Sequence, residues 1–194
     1  MKKIGISLMI MALLSGVDAR AQGNLFQEII LSDLQASIAR ERVEKNVIDW
    51  RVGERSEYKM KAVIGNLGDL MKRVDREEGN AIWLISEMTG QQAQKVEAKL
   101  DRATGQILDY IVNGQRETPP DNGFELISQD EQTITVPAGT FRTIHVVAKM
   151  NSGQVSKVEV WVNPREIVMD GNAKTIAYTS FFPVEIILQR FTRP

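Results

Sequence analysis

The sequence contains no cysteine and a single histidine, His145. Without thiols there is no disulfide framework, no thiolate metal site and no cysteine nucleophile. A lipid-modified cysteine behind an export signal is excluded for the same reason. One imidazole without thiolates is too little for a transition-metal site. No charge of one sign dominates, since 24 Lys and Arg stand against 25 Asp and Glu. That mixed surface argues against nucleic-acid binding, which uses a basic face, and against electrostatic adhesion to a membrane. Phosphate-cradling glycine loops, a G-x-S-x-G elbow and Asn-x-Ser/Thr acceptors are all missing.

The one long apolar run is N-terminal. Lys2 and Lys3 precede an almost uncharged segment, Ile4 to Val17, and Ala19-Arg20-Ala21 places small residues where a signal peptidase reads. The run is shorter than the about 20 residues that span a bilayer. Residues 1–21 therefore read as an export signal, with Gln22 as the expected mature N-terminus. The expected location is the bacterial periplasm, with secretion as the alternative, and no integral membrane segment remains after cleavage. Residues 22–194 are enough for one domain with its own core.

Beyond the signal, Phe26, Ile30, Leu34 and Ile38 recur at helical spacing behind Asn24, a good N-cap, so a helix is expected over about 24–45. After Asn46 the period changes from about 3.6 to 2. Candidate strands are Val47–Val52, Glu57–Ile64, Asp69–Arg76, Ala81–Met88, Gln94–Arg102 and Gln106–Val112. They continue with Phe124–Ser128, Gln132–Val136, Arg142–Met150, Gln154–Val162, Ala173–Phe182 and Val184–Phe191. Gly65–Gly68 reads as a break, Asn113-Gly114 as a tight turn, and Pro164 and Pro183 as strand ends or edges. No βαβ alternation is visible, which removes a parallel nucleotide-binding sheet. The expected fold is mainly β: a curved antiparallel sheet or incomplete β-barrel, with strands over about 47–191, wrapped around the N-terminal helix.

Thr135-Val136-Pro137-Ala138-Gly139-Thr140-Phe141 leads into a strand carrying His145. Glu159-Val160-Trp161-Val162-Asn163-Pro164 and Met169-Asp170-Gly171-Asn172-Ala173-Lys174 follow, and Arg51-Val52-Gly53-Glu54 with Tyr58 lies upstream. This succession resembles the "VPAGTF, strand, hairpin, W-x-x-P, G-x-x-K" layout of a family of exported bacterial β-proteins of unknown function. Those proteins are similar in fold to the periplasmic carriers of the lipoprotein-localisation pathway. The resemblance implies an incomplete barrel around a helix, and a cavity for acyl chains. It transfers no functional residue. Read on their own, the VPAGTF residues make a turn that sets strand register.

The chemistry-bearing residues are scattered. His145 has no implied nucleophile or orienting acid. Asp75, Glu77 and Glu78 cluster at a turn that matches no calcium loop, beside Arg73 and Arg76. Asp101 and Asp109 flank another turn and could face each other as a glycosidase-like pair. The expectation is a non-enzyme with no cofactor and no metal. Trp50, Trp83 and Trp161 fall in expected strands. The leading function is binding of an apolar or lipid-like ligand, an acyl chain above all, lined by Trp83, Met88, Trp161, Phe181 and Ile187. The alternative is an envelope interaction module with a filled core and a protein partner.

Overall fold

The computed structural model of the chain describes residues 25, 27–30, 49–90, 93–119, 124–151 and 153–194. The expected export signal and most of the expected 24–45 helix lie outside them. Within that helix, Leu25 and residues 27–30 are helical.

Among the described residues eleven strands form a single sheet. In chain order they are β1 (Arg55–Ala62), β2 (Gly65–Glu78), β3 (Ala81–Gly90), β4 (Gln94–Asp101), β5 (Ile107–Val112) and β6 (Gln115–Arg116). The others are β7 (Phe124–Val136), β8 (Gly139–Met150), β9 (Val155–Val162), β10 (Asn172–Thr179) and β11 (Pro183–Thr192). The spatial order is β6-β5-β4-β3-β2-β1-β11-β10-β9-β8-β7, with antiparallel pairing throughout. The first and last long strands, β1 and β11, meet at the centre, and the sheet does not close: β6 and β7 are its two edges.

A flat sheet of this width is unstable against curling. Phe141 of β8 shows the curl directly. Its ring lies 6.3 Å from that of Phe191 on β11, although β9 and β10 intervene in the sheet order. The inner face follows the period-2 pattern: Tyr58 and Met60, Leu70 and Val74, Val96, Ala98 and Leu100, Val158 and Val160, then Val184, Ile186 and Leu188 are all buried in one core cluster. The helical residues Leu25, Ile29 and Ile30 belong to the same cluster. Their polar neighbours tie the helix to both halves of the sheet. Gln27 donates to the Glu117 carboxylate at 3.0 Å, and the Glu28 carboxylate accepts from the Gln154 backbone N–H.

Three expectations need correction. Residues 49–52 form no strand: Trp50 is buried ahead of a turn at Val52–Gly53, and its carbonyl accepts from Arg102 at 2.9 Å. Gly65–Gly68 is no break but the start of β2. A Cβ on Gly68 would sit 1.8 Å from the Thr89 carbonyl, so Gly68 serves close backbone approach inside the strand. Phe124–Ser128 and Gln132–Val136 are one strand of 13 residues, because Asp130 and Glu131 pair across to His145 and Arg142 of β8 rather than turning the chain. The VPAGTF segment is a tight turn joining β7 to β8, with Val136 paired to Gly139.

Candidate functional site

The two edges of the sheet are built differently. At one, β6 has two residues and offers almost nothing to pair with. Short edges are a common protection against strand addition. At the other, β7 runs for 13 residues and, among the described strands, hydrogen-bonds to β8 alone. Nearly all of Glu125–Thr135 is exposed. Leu126 and Ile127 are 54% and 57% exposed, next to a register shift between Leu126 and Ser128. The strand carries Glu125, Asp130 and Glu131 and no basic residue. A long edge with free backbone groups and solvent-facing aliphatic side chains is the geometry that accepts another extended segment.

A ladder of side chains fixes this edge to the sheet. His145 Nδ1 is 3.1 Å from Asp130 Oδ1 and 3.1 Å from Gln132 Nε2. Gln132 also donates to Asp130 at 2.8 Å and accepts from Trp161 Nε1 at 2.8 Å. The His145 ring stacks on Trp161 with centroids 4.3 Å apart and 16° between planes. Beyond it, Glu159 accepts from Lys157 and from the Tyr178 hydroxyl, both at 2.8 Å. The Gln132 amide, then His145, hold the Asp130 carboxyl below the usual carboxylate range, against some desolvation. At Glu159 burial acts upward and is outweighed by Lys157, Tyr178 and His145, leaving the group below its ordinary value. Within the ladder His145 Nε2 makes no hydrogen bond and lies 3.4 Å from Glu159 Oε2. His145 lies between two carboxylates with no nucleophile bonded to it.

The carboxylates singled out in the sequence are held by neighbouring groups. Asp101 caps its turn by accepting from Thr104 N at 2.7 Å, while Asp109 pairs with Arg116 at 2.7 Å, so the two do not form a pair. Asp75 lies between Arg73 and Arg76, Glu77 pairs with Arg102, and Glu78 pairs with Lys99 at 3.0 Å. Among the described residues no cluster of His, Asp and Glu could hold a metal ion. A cavity of about 250 Å³ lies outside the core, between Glu131, Arg142, Asn163, Arg165 and Glu166, and its walls are polar.

The structure does not bring the expected ligand-lining residues together. Met88 lies on the core face of β3, while Trp83, five residues along the alternating strand, faces the other way. There Trp83 is capped by Arg76, 4.3 Å from its ring, and donates to Glu78 at 2.8 Å. Trp161 is on the outer face of β9, under His145 and Lys174. Ile187 alternates with the core residues Ile186 and Leu188, and Phe181 stands exposed in the β10–β11 turn.

Sequence reasoning missed a buried ion pair. Lys72 of β2 and Asp170 of the β9–β10 loop meet at 2.7 Å, with side-chain exposures of 1% and 0%. The Tyr58 hydroxyl lies 3.4 Å from Asp170 and 3.3 Å from the Asn172 carbonyl, and the Lys72 ammonium lies 5.0 Å from the Tyr58 ring centroid. The loop that delivers Asp170 is the W-x-x-P…G-x-x-K stretch. Asn163 accepts from the N–H groups of Arg165 and Glu166, both at 3.1 Å, and donates to the Arg142 carbonyl at 3.0 Å. Glu54, from the upstream R-V-G-E, accepts from Met169 N at 3.3 Å. Ile167, Val168 and Met169 are buried in the core. The signal that could have found the pair is Lys72 itself, a lysine at the in-facing position between Leu70 and Val74.

Burial also acts on Tyr110, whose phenol is pushed up to about 12; the Glu117 charge adds to this and the Gln27 amide opposes it. The unfolded chain ionises this phenol near pH 10 and the folded one near 12, so the contribution is intact below about pH 10 and lost as pH rises through 12. Folding stability should fall by roughly 2–3 kcal/mol across that window. Tyr110→Phe is expected to flatten that part of the alkaline stability profile. An unchanged slope in denaturant titrations of the variant would refute the assignment.

No protein-family model and no curated protein sequence matches the chain. Solved structures do match in fold. The hypothetical protein CT021 from Chlamydia trachomatis has a TM-score of 0.50 at 9% identity, over 75% of this chain and 89% of that one. A protein described as exported, with a YmcC-like fold, from Bacteroides fragilis has a TM-score of 0.45 at 12% identity, over 76% of this chain and 99% of that one. MucB in the MucA/MucB complex of Pseudomonas aeruginosa has a TM-score of 0.43 at 9% identity, over 84% of this chain and 56% of that one. At these identities the likeness is one of fold. Among the described residues no helix is long and apolar enough to cross a membrane.

Proposed function

We propose that the protein is a non-catalytic, exported docking module that takes an extended segment of an envelope protein partner along β7. The observation that carries this reading is the edge itself: 13 residues, paired on one side only, with Leu126 and Ile127 facing solvent. Main-chain hydrogen bonds from such an edge supply affinity, and side chains at alternate positions supply choice of partner. The three acids of β7 favour a segment bearing Lys or Arg over a second copy of the same strand, which would set like charges against each other. Export rests on residues 1–21, and the non-enzymatic role is supported by the pairing of Asp75, Glu77, Glu78 and Asp109 with basic side chains.

The carrier reading asks for an open apolar cavity on the inner face of the sheet. There the helical residues Ile29 and Ile30 are 0% and 1% exposed, packed with Tyr58, Met60 and Tyr110. That packing of the described helical residues against the sheet supports the docking reading over the carrier reading.

Photo-crosslinking in the intact envelope tests it. A crosslinker at Ile127 should capture a defined partner that one at Leu108 on β5, equally exposed, does not. Hydrogen exchange of the complex should show new protection of amides in 125–135. Adducts of equal yield from both positions, or a complex in which β7 amides exchange as before, would overturn strand addition.

A further inference from the structure

We infer that the rim formed by the β1–β2 and β10–β11 tips is a membrane-contact surface that inserts into a lipid interface. The register places the two tips side by side, since Ala62 at the end of β1 pairs with Val184 at the start of β11. Val63 is 81% exposed, Ile64 39% and Phe181 57%. Val52 and Leu108 stand singly and Leu126 and Ile127 lie on the β7 edge, whereas these three project from neighbouring tips.

Three features fit lipid. First, charge is absent from both tips: none occurs from Ala62 to Gly68, and none from Thr175 to Val184. A protein-docking rim ordinarily mixes charge with apolar groups, whereas entry into hydrocarbon penalises each charge. Second, the Phe181 tip satisfies its own backbone N–H groups. Thr179 Oγ1 accepts from the N–H groups of Phe181 at 3.2 Å and Phe182 at 3.1 Å, and donates to the Phe182 carbonyl at 2.7 Å. Ser180 N–H donates to the Gln154 carbonyl at 3.1 Å. A tip that leaves water needs this, because lipid offers no replacement partner. Third, Lys61 stands directly behind Val63, is exposed, and has no ion-pair partner among the described residues. There its ammonium can lie at headgroup level while the tip goes deeper. The contact is independent of strand addition at β7, and it would hold that edge beside the membrane.

Flotation of the purified protein, as its host exports it, with vesicles of equimolar phosphatidylcholine and phosphatidylglycerol tests the contact. The protein should float, and Val63→Ser and Phe181→Ser should each weaken partitioning about tenfold. Leu108→Ser, on β5, should leave it unchanged. Phe181→Trp should shift its emission to the blue on vesicle addition; the native Trp50, Trp83 and Trp161, at 1%, 5% and 9% exposure, supply a constant background. Lys61→Gln should weaken binding to these vesicles by severalfold and leave binding to pure phosphatidylcholine vesicles unchanged. Failure of the wild-type protein to float overturns the proposal. So does equal loss in the Leu108→Ser control, or a tip-dependent self-association without vesicles, which would make the rim a protein interface. Loss of β7 crosslinking would leave this result untouched.

Discussion

Asp170→Ala is expected to destabilise the protein by about 3–5 kcal/mol, and Lys72→Met by a similar amount. The size follows from where the charges are. Both side chains are at most 1% exposed, so either substitution removes a 2.7 Å opposite charge from a side chain that stays buried. Desolvation is already incurred in the folded state, and the 2.7 Å contact is what offsets it. The Tyr58 hydroxyl, 3.4 Å from Asp170, is too weak a partner to take over. The double variant Lys72→Met with Asp170→Ala should lose much less than the sum, because it removes both charges. Chemical denaturation followed by circular dichroism gives all three values. Additive losses would show that the two side chains act separately and that the pair is incidental.

That prediction marks where the sequence was readable. Alternation in Gln94–Asp101 placed Val96, Ala98 and Leu100 in the core, and they are buried there. Turn chemistry placed the reversal at Asn113-Gly114, where Asn113 has a φ of 51°. These signals are local, and local signals survive folding. The docking edge was not readable, because an edge is defined by what fails to pair with it. Nothing within Phe124–Val136 says that β7 ends the sheet while β1 and β11 meet at its centre. Asp130 and Glu131, which lie between the two expected strands, form ion pairs with His145 and Arg142 of β8, a relation that only the folded sheet reveals. The tryptophans misled for a related reason. Trp83 and Trp161 look like cavity lining, but lie on outer faces where Arg76, Lys99, His145 and Lys174 cover them. Long basic side chains bury aromatic surface as effectively as a core does. The W-x-x-P…G-x-x-K stretch carried more fold information than functional information. Its residues close the space between β9 and β10 and deliver one carboxylate into the core.

Gly171→Ala should cost about 3 kcal/mol or more, well above the about 1–2 kcal/mol of the same change at Gly79. The comparison isolates one cause. Both glycines have left-handed backbones, with φ of 67° and 62°. A Cβ on Gly79 meets nothing within 4 Å, whereas one on Gly171 would lie 2.6 Å from both the N and Cα of Pro164. Relief requires the Gly171 segment to move off the Asn163-Pro164 backbone, which strains the 2.8 Å bond from Asn163 N to the Gly171 carbonyl. Asp170 is the adjacent residue, so the same movement carries its carboxylate away from Lys72. Gly171→Ala and Asp170→Ala should therefore overlap strongly in a double-mutant cycle, with the double variant little worse than the poorer single. Fully additive losses would mean that the loop tolerates the alanine without moving Asp170. A loss at Gly171 no greater than that at Gly79 would mean that the close approach to Pro164 is not a constraint on the fold.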